Sequence, residues 1–487
     1  MNMVHLAITN TERFLSTTSR AKQKSYGQFF TSESVARHMA QMLQVDTSCP
    51  ELHLLDPGAG TGVLGIALVE HLRTKIGYRG KIHLTCYETD PLVTPVLMDN
   101  LTRLREAYNI HYTVIVDNYL LSQSFGEDQI FAEKSPKYDL VISNPPYKKL
   151  PKTALEAQAM RNVCYGSPNL YALFCAMSIY NLREGGELVY LMPRSWTSGA
   201  YFQRFRSYLH HHSVITDIHT FERRDSVFGS QDVLQEVMIL KLRKTTLRPS
   251  YITITSSDSS DMENVKSFKA PYTSVVDHNE YVFLVQDESD AKLLSLLNAL
   301  PNTLPSLHLN MRTGLVVDFR AREEIARGVA GSGYPLFYPS HIRNGKVQWP
   351  LGLEGERIAT DKMGLLQKNT DYLFVKRFTS KEEKRRLQCG LYLREEHPTH
   401  QYISTQNKLN FIQCDSPTIA YGLYALLSST PYDRYYRILN GSTQVNSTEV
   451  NAMPMPDRNT IEQIGQELMK QEPTEDNCND IITKWII

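Results

Sequence analysis

Asp139-Leu140-Val141-Ile142-Ser143-Asn144-Pro145-Pro146-Tyr147 decides how this chain is read. The apolar run from Leu140 to Ile142 stops abruptly at an amide, two prolines and an aromatic, the pattern of a buried strand that opens into a rigid turn. Neither proline has an N–H to give to a ladder and both have a fixed φ, so the carbonyls of Asn144 and Pro145 can be held towards a cleft. The turn offers acceptors beside one flat ring, that of Tyr147.

Upstream, Leu54-Leu55-Asp56-Pro57-Gly58-Ala59-Gly60-Thr61-Gly62 leads from a strand, His53 to Leu55, into a glycine turn and a helix running from about Val63 to Thr74. Glycines let a backbone come close to a ligand, and the open helix N-terminus favours an anionic or polar group. A second strand, Ile82 to Tyr87, ends at Glu88, whose carboxylate can accept both hydroxyls of a ribose, as in dinucleotide folds. A third, Tyr112 to Val116, ends at Asp117. Four strands in a row thus end in Asp56, Glu88, Asp117 and Asn144, along the carboxyl edge where open α/β sheets bind ligands.

Beyond the turn, residues 148–168 carry Lys148, Lys149, Lys152 and Arg161 and read as a lid or as an ordinary surface loop. Ser167-Pro168-Asn169 starts a helix with Leu170, Leu173, Phe174, Met177 and Ile179, which Gly185-Gly186 ends. Glu187 to Met192 is a fifth strand and Val214 to Phe221 a sixth. The seventh, about Val233 to Leu242, is reached through Ser226–Asp232, a link too short for a helical crossover, which implies an antiparallel hairpin.

At 487 residues the chain is too long for one ordinary core, so two domains are expected, 1–245 and 246–487. The Ser/Thr/Asp stretch 254–261 reads as linker or loop, and the second domain as α+β, followed by a helix over about 457–472 and a frayed tail. Residues 1–24 are polar and read as a mobile arm or a loosely packed helix. With 52 basic and 52 acidic residues there is no global field to steer an anionic polymer, so any nucleic-acid surface must be local. Seven scattered cysteines, an odd count without a Cys-x-x-Cys pair, support neither a zinc site nor a disulfide framework. No run approaches the roughly twenty apolar residues of a membrane span and the N-terminus lacks an apolar signal core, so a cytoplasmic protein is expected.

A local basic surface is present in the segment from Lys376 to Arg386, with Lys376, Arg377, Lys381, Lys384, Arg385 and Arg386 against two acids. Tyr372, Phe374 and Phe378 are interleaved, a mixture suited to phosphate contacts with sugar or base packing, the alternative being a solvated helix face. Asn440-Gly441-Ser442-Thr443-Gln444-Val445-Asn446, backed by Tyr435, Tyr436 and Arg437, is a polar loop whose Asn and Gln side chains can read adenine bidentately.

Asn144-Pro145-Pro146-Tyr147 together with the Asp56–Gly62 turn resembles the N6-adenine DNA methyltransferases that use S-adenosylmethionine. The order of cofactor motifs, catalytic motif and last a recognition region resembles the gamma-class type II modification methylases of the PstI and BsuBI kind. That resemblance implies an α/β fold, a Rossmann-like class I methyltransferase sheet of six parallel strands and one antiparallel, with a C-terminal α+β DNA-recognition domain. It implies catalysis by Asn144, Pro145, Pro146 and Tyr147, with Phe228 flanking the target base and Phe221 as the fallback. Gly27, Phe29, Thr31, Asp56, Gly58, Gly60, Glu88, Asp117 and Asn144 are the implied cofactor residues, Thr31 meeting the methionine carboxylate and Asp117 the adenine amino group. Ser32 stands where proline is usual. Lys376, Arg377, Lys381, Gln444 and Asn446 are the expected DNA contacts. No metal is expected. The implied partners are double-stranded DNA and a separate cognate restriction endonuclease, the protein itself being a monomer, and the PstI and BsuBI likeness suggests CTGCAG as target.

Rival readings differ in what they require. Enzymes that methylate protein glutamine or ribosomal RNA share the four-residue signature but need no second domain of this size. Cytosine C5 transfer needs a Pro-Cys nucleophile, and the chain has no Pro-Cys dipeptide. N4-cytosine transfer is chemically close but favours serine where Asn144 stands. A catalytically idle specificity subunit would have no use for Gly58, Glu88, Asp117 and Asn144 together, and no acidic-acidic-lysine nuclease cluster is evident.

Overall fold

A computed structural model describes residues 2–17, 31–123, 125, 137–164, 166–221, 237–329, 333–380, 382–440 and 443–487. Gly27, Phe29, Phe228 and Lys381 lie outside the described residues. The chain forms two compact units, Met1–Thr197 with Tyr201–Val282, and Ser198–Ala200 with Phe283–Ile487.

Among the described residues, nine strands build the first unit: β1 Glu51–Pro57, β2 Lys81–Tyr87, β3 His111–Ile115, β4 Tyr138–Ser143, β5 Leu182–Pro193, β6 Val214–Phe221, β7 Val237–Arg243, β8 Tyr251–Ser257 and β9 Lys266–Pro271. They lie in one sheet in the order β3-β2-β1-β4-β5-β7-β6-β8-β9. The first five in this order run parallel, and β7 lies antiparallel between β5 and β6. Among β1 to β7, six strands thus run parallel and β7 is reversed, with β6 beyond it. It then continues, with β8 parallel to β6 and β9 antiparallel to β8.

Parallel strands buried on both faces need near-continuous apolar runs, as β4 and β5 have. One face is covered by α1 Met3–Thr17, α2 Glu33–Met42, α3 Val63–His71 and α4 Thr94–Tyr108, whose inward residues share a core with Leu52, Leu54, Ile82, Leu84, Leu140 and Ile142. Two further long helices, α5 Leu170–Asn181 and α6 Gln203–His212, belong to the same unit.

Two expectations for this unit are corrected. The N-terminal segment is no loose arm over residues 3–17, because Met3, Val4 and Ala7 are buried against α3 and α4. Its first turn is anchored by Glu70, whose Oε2 accepts the Met3 N–H at 2.7 Å while Oε1 takes Arg37 Nη1 at 2.8 Å; a carboxylate suits a helix N-terminus. The break expected at 245 instead falls after Val282, since the Ser/Thr-rich stretch read as linker begins inside β8. Ile252 and Ile254 alternate inward there, and pairing with β8 and β9 continues the sheet beyond β6.

Among the described residues, the second unit holds two sheets formed by β10 Met311–Thr313, β11 Tyr334–Phe337, β12 Ile342–Arg343, β13 Lys346–Val347, β14 Arg357–Ile358, β15 Gln367–Lys368, β16 Asp371–Lys376, β17 Cys389–Tyr392, β18 Tyr402–Thr405 and β19 Leu409–Cys414. Their orders are β10-β19-β16-β17-β13-β12 and β14-β11-β18-β15. Helices α7 Pro417–Ser428, α8 Thr430–Leu439, α9 Ser447–Ala452, α10 Arg458–Leu468 and α11 Glu475–Trp485 follow. The expected frayed tail is α11, capped by Thr474 and seated through Cys478, Ile481 and Ile482.

Candidate active site

The tips of β1, β2 and β4 converge on one edge of the first unit. Ser143, fully buried as the last residue of β4, donates from Oγ to the Pro57 carbonyl at 2.7 Å, tying the end of β4 to the end of β1. The chain then leaves the sheet at Asn144, whose amide is not turned into the core but half-buried and held on both sides. Nδ2 donates to Thr31 Oγ1 at 3.1 Å and Oδ1 accepts the Tyr147 hydroxyl at 2.8 Å. That hydroxyl also lies 3.1 Å from the Leu191 carbonyl of β5, and the Tyr147 ring meets Tyr171 edge-on at 6.2 Å. Burial pushes the Tyr147 phenol far above its ordinary value, so it acts as a neutral donor.

The glycine turn faces this corner. At Gly58, φ is +72°, and a Cβ there would stand 3.4 Å from Phe174 Cε1 and 3.8 Å from Pro146 Cδ. The turn therefore passes close to the Pro-Pro corner. Asp56 is fully buried beneath it. Its Oδ2 accepts the Gly65 N–H at 2.9 Å, and Oδ1 has no partner among the described residues. Glu88 at the tip of β2 closes the cradle, with Oε2 accepting the Gly60 N–H at 2.9 Å and Oε1 the Asp90 N–H at 2.8 Å. Each carboxylate oxygen keeps a second lone pair for another donor. Asp117 stands exposed beyond β3, accepting the Asn118 N–H at 2.7 Å.

Burial raises the carboxyls of both Glu88 and Asp56, the latter to about 7. An unfolded Asp56 titrates near 3.8, so between that value and about 7 the folded chain holds the extra proton and loses stability as pH rises. Asp56→Asn keeps an oxygen for the Gly65 N–H and has no such titration. Its denaturation midpoint should gain on the wild type's as pH rises from about 4 to about 7; midpoints that move in parallel would contradict the burial of a neutral Asp56.

The structure thus brings Thr31, Asp56, Gly58, Gly60, Glu88, Asn144, Pro145, Pro146 and Tyr147 to one edge. Sequence reading missed Phe174 as the wall beside Gly58 and the Leu191 carbonyl as a partner of Tyr147. Both sit in apolar runs whose spacing marks them only as core.

In the second unit the two segments expected to meet DNA pair with each other. Phe378 is bridged antiparallel to Gln444, with the Val445 N–H donating to the Arg377 carbonyl at 2.7 Å and the Thr379 N–H to the Thr443 carbonyl at 3.2 Å. Lys376 is half-buried at the end of β16, and Arg377 Nη1 donates to the Asn407 carbonyl at 3.0 Å. Asn446 Nδ2 donates to Glu449 Oε1 at 3.2 Å. The expectation that Tyr372 and Phe374 serve DNA is corrected, since both are core residues of β16. Arg386 is likewise fully buried.

Residues 81–228 match the model of the Eco57I restriction-modification methylase family. The type II methyltransferase M.BsuBI of Bacillus subtilis is 33% identical over 461 residues, which cover 91% of this chain and 90% of that protein. M.PstI of Providencia stuartii, also a type II methyltransferase, is 30% identical over 488 residues, covering 96% and 94%. Among solved structures, the type IIL restriction-modification enzyme MmeI in complex with DNA has a similar fold at a TM-score of 0.52 and 13% identity, covering 93% of this chain and 72% of that one.

Proposed function

The chain belongs to the type II restriction-modification DNA methyltransferases, and from that premise we propose that it methylates N6 of an adenine turned out of double-stranded DNA, with S-adenosylmethionine as donor. The observation that carries this reading is the Asn144 amide, gripped by Thr31 and Tyr147 beside the Gly58 turn. An exocyclic amine is a poor nucleophile because its lone pair is delocalised into the ring. Asn144 Oδ1, which accepts the Tyr147 hydroxyl, is an amide oxygen able to take more than one donor and is the proposed acceptor for the amine. With the Pro145 carbonyl as second acceptor, the two draw on the N–H bonds, localise the nitrogen lone pair and take up the charge that develops on it. No charged side chain is required, since the acceptors need lone pairs rather than basicity.

The cradle suits the cofactor. Glu88 has lone pairs for ribose hydroxyls, the Asp56 Oδ1 is buried without a partner among the described residues, and the Gly58 backbone leaves room where a side chain would meet Phe174. S-adenosylmethionine supplies an electrophilic methyl group on a sulfonium. The chain's own residues contribute alignment, and alignment of two reactants is itself a large part of catalysis. The base must leave the stack at a cost of a few kcal/mol, which the Tyr147 ring, with Phe228 as the proposed second flank, offsets by stacking. In the second unit Lys376, Arg377, Lys381, Gln444 and Asn446 remain the proposed DNA contacts. A monomer that modifies cellular DNA and is matched by a separate endonuclease completes the proposal.

Single-molecule sequencing of genomic DNA from cells expressing the protein tests the reading directly. N6-methyladenine at one position of one short motif is expected, CTGCAG being the motif to check first by resistance to cleavage. N4-methylcytosine in its place would transfer the same acceptor chemistry to the other base. Unmodified DNA would leave the idle-subunit reading standing.

A further inference from the structure

Among the described residues, Phe319 and Phe378 are the phenylalanines left exposed, at 65% and 46%. Both stand at one end of the six-stranded sheet, where β10 and β16 finish and β19 begins. Each has an arginine against its ring, Arg320 Cζ at 5.4 Å from the Phe319 centroid and Arg377 Cζ at 5.5 Å from that of Phe378. The turn 406–408 is bonded to the segments that carry both. The Asn407 N–H donates to the Val316 carbonyl at 2.8 Å, and the Arg377 N–H to the Lys408 carbonyl at 3.0 Å. Gly314 lets this turn pass, because a Cβ there would come within 2.1 Å of the Gln406 carbonyl oxygen. Gln406 Nε2 in turn holds Asp318 Oδ2 at 2.8 Å, engaging the acid next to Phe319. Lys408 at the tip of the turn is exposed.

The pairing fixes direction as well as place. Residues directly opposite in an antiparallel pair put their side chains on the same face, so Gln444 stands beside Phe378, while the intervening Thr379 and Val445 are buried. The ribbon is braced from behind. Tyr436 Oη and Asn440 Nδ2 donate to the Gln444 carbonyl at 3.2 and 2.9 Å, and Asn410 Nδ2 to that of Val445 at 2.7 Å. Two large apolar rings held in water by a rigid support, each beside a cation, suit a partner with flat apolar faces and a regular anionic backbone.

Resting on the function proposed above, we infer that this ridge is the base-contacting edge of the second unit, with Phe378 packing against bases of the recognition site and Gln444 beside it selecting among them. Arg320 and Lys408 take backbone phosphates. An aromatic contact to bases is strong and carries no counterion release, whereas a phosphate contact adds to the salt dependence.

The test uses the full-length protein with S-adenosylhomocysteine and two labelled duplexes, one carrying the motif found methylated in expressing cells and one lacking it. Across a salt series, Phe378→Ala is expected to weaken binding to the motif duplex by about ten-fold, leaving the other duplex and the salt slope unchanged. Phe378→Leu should fall between. Lys408→Ala should weaken both duplexes alike and lower the salt slope by about one. Unchanged cofactor affinity and melting temperature verify the fold. Wild-type binding by Phe378→Ala, or an equal loss on both duplexes, overturns the inference alone. A wild type that methylates no DNA overturns the function and the inference with it.

Discussion

Asn144→Ala is expected to lower methyl transfer by at least about 10²–10³-fold, the loss that follows removal of one preorganised hydrogen-bonding group at a reacting centre. The amide oxygen is the proposed acceptor at the Pro-Pro corner, fixed by its neighbours, and alanine removes it along with the bonds to Thr31 and Tyr147. The cradle of Asp56, Gly58 and Glu88 is built from other strands, so cofactor affinity by calorimetry should fall far less than the transfer rate, the loss being confined to the Asn144–Thr31 contact. Asn144→Asp, which keeps oxygen acceptors, should retain part of the rate. Single-turnover transfer of labelled methyl groups reads the effect. Normal turnover in the alanine variant would remove the mechanism.

Tyr147→Ala should abolish most of the trapping of an extruded base while sparing cofactor binding. Stacking on one aromatic is worth about 1–3 kcal/mol per base, enough to shift a flipping equilibrium by roughly ten-fold or more. The fluorescence of 2-aminopurine at the target position should rise with the wild type and fall back with the variant. Tyr147→Phe separates ring from hydroxyl. It keeps the stacking face but loses the 2.8 Å bond to Asn144 Oδ1, so the fluorescence should persist while the transfer rate drops. An unchanged signal in Tyr147→Ala would count against the ring as a clamp.

The catalytic edge was legible because its signals are local. Apolar runs that stop at Asp56, Glu88 and Asn144 mark strand ends, and glycine and proline mark the turns, so β1, β2, β4, β5 and β6 lie within a few residues of expectation. What was misread depended on long-range pairing. Ile252 and Ile254 alternate as a strand should, but the serines, threonines and aspartates around them read as linker until β6 supplies the partner. Tyr372 and Phe374 looked available to DNA because alternation alone does not show that β16 is central in its sheet and buried on both faces. The α11 pattern of Cys478, Ile481 and Ile482 was short enough to pass for a tail. The antiparallel meeting of Phe378 with Gln444, sixty-six positions apart, has no local trace at all.

Exchanging specificities between relatives by swapping C-terminal halves depends on where the cut is made. A chimera joined near residue 245 would take β8 and β9 from the donor, or omit them and leave β6 as a raw border open to intermolecular pairing. The natural seam follows Val282, and it is interrupted, because Ser198–Ala200 belongs with the C-terminal body. A working graft must therefore carry its own three-residue island along with the transplanted segment.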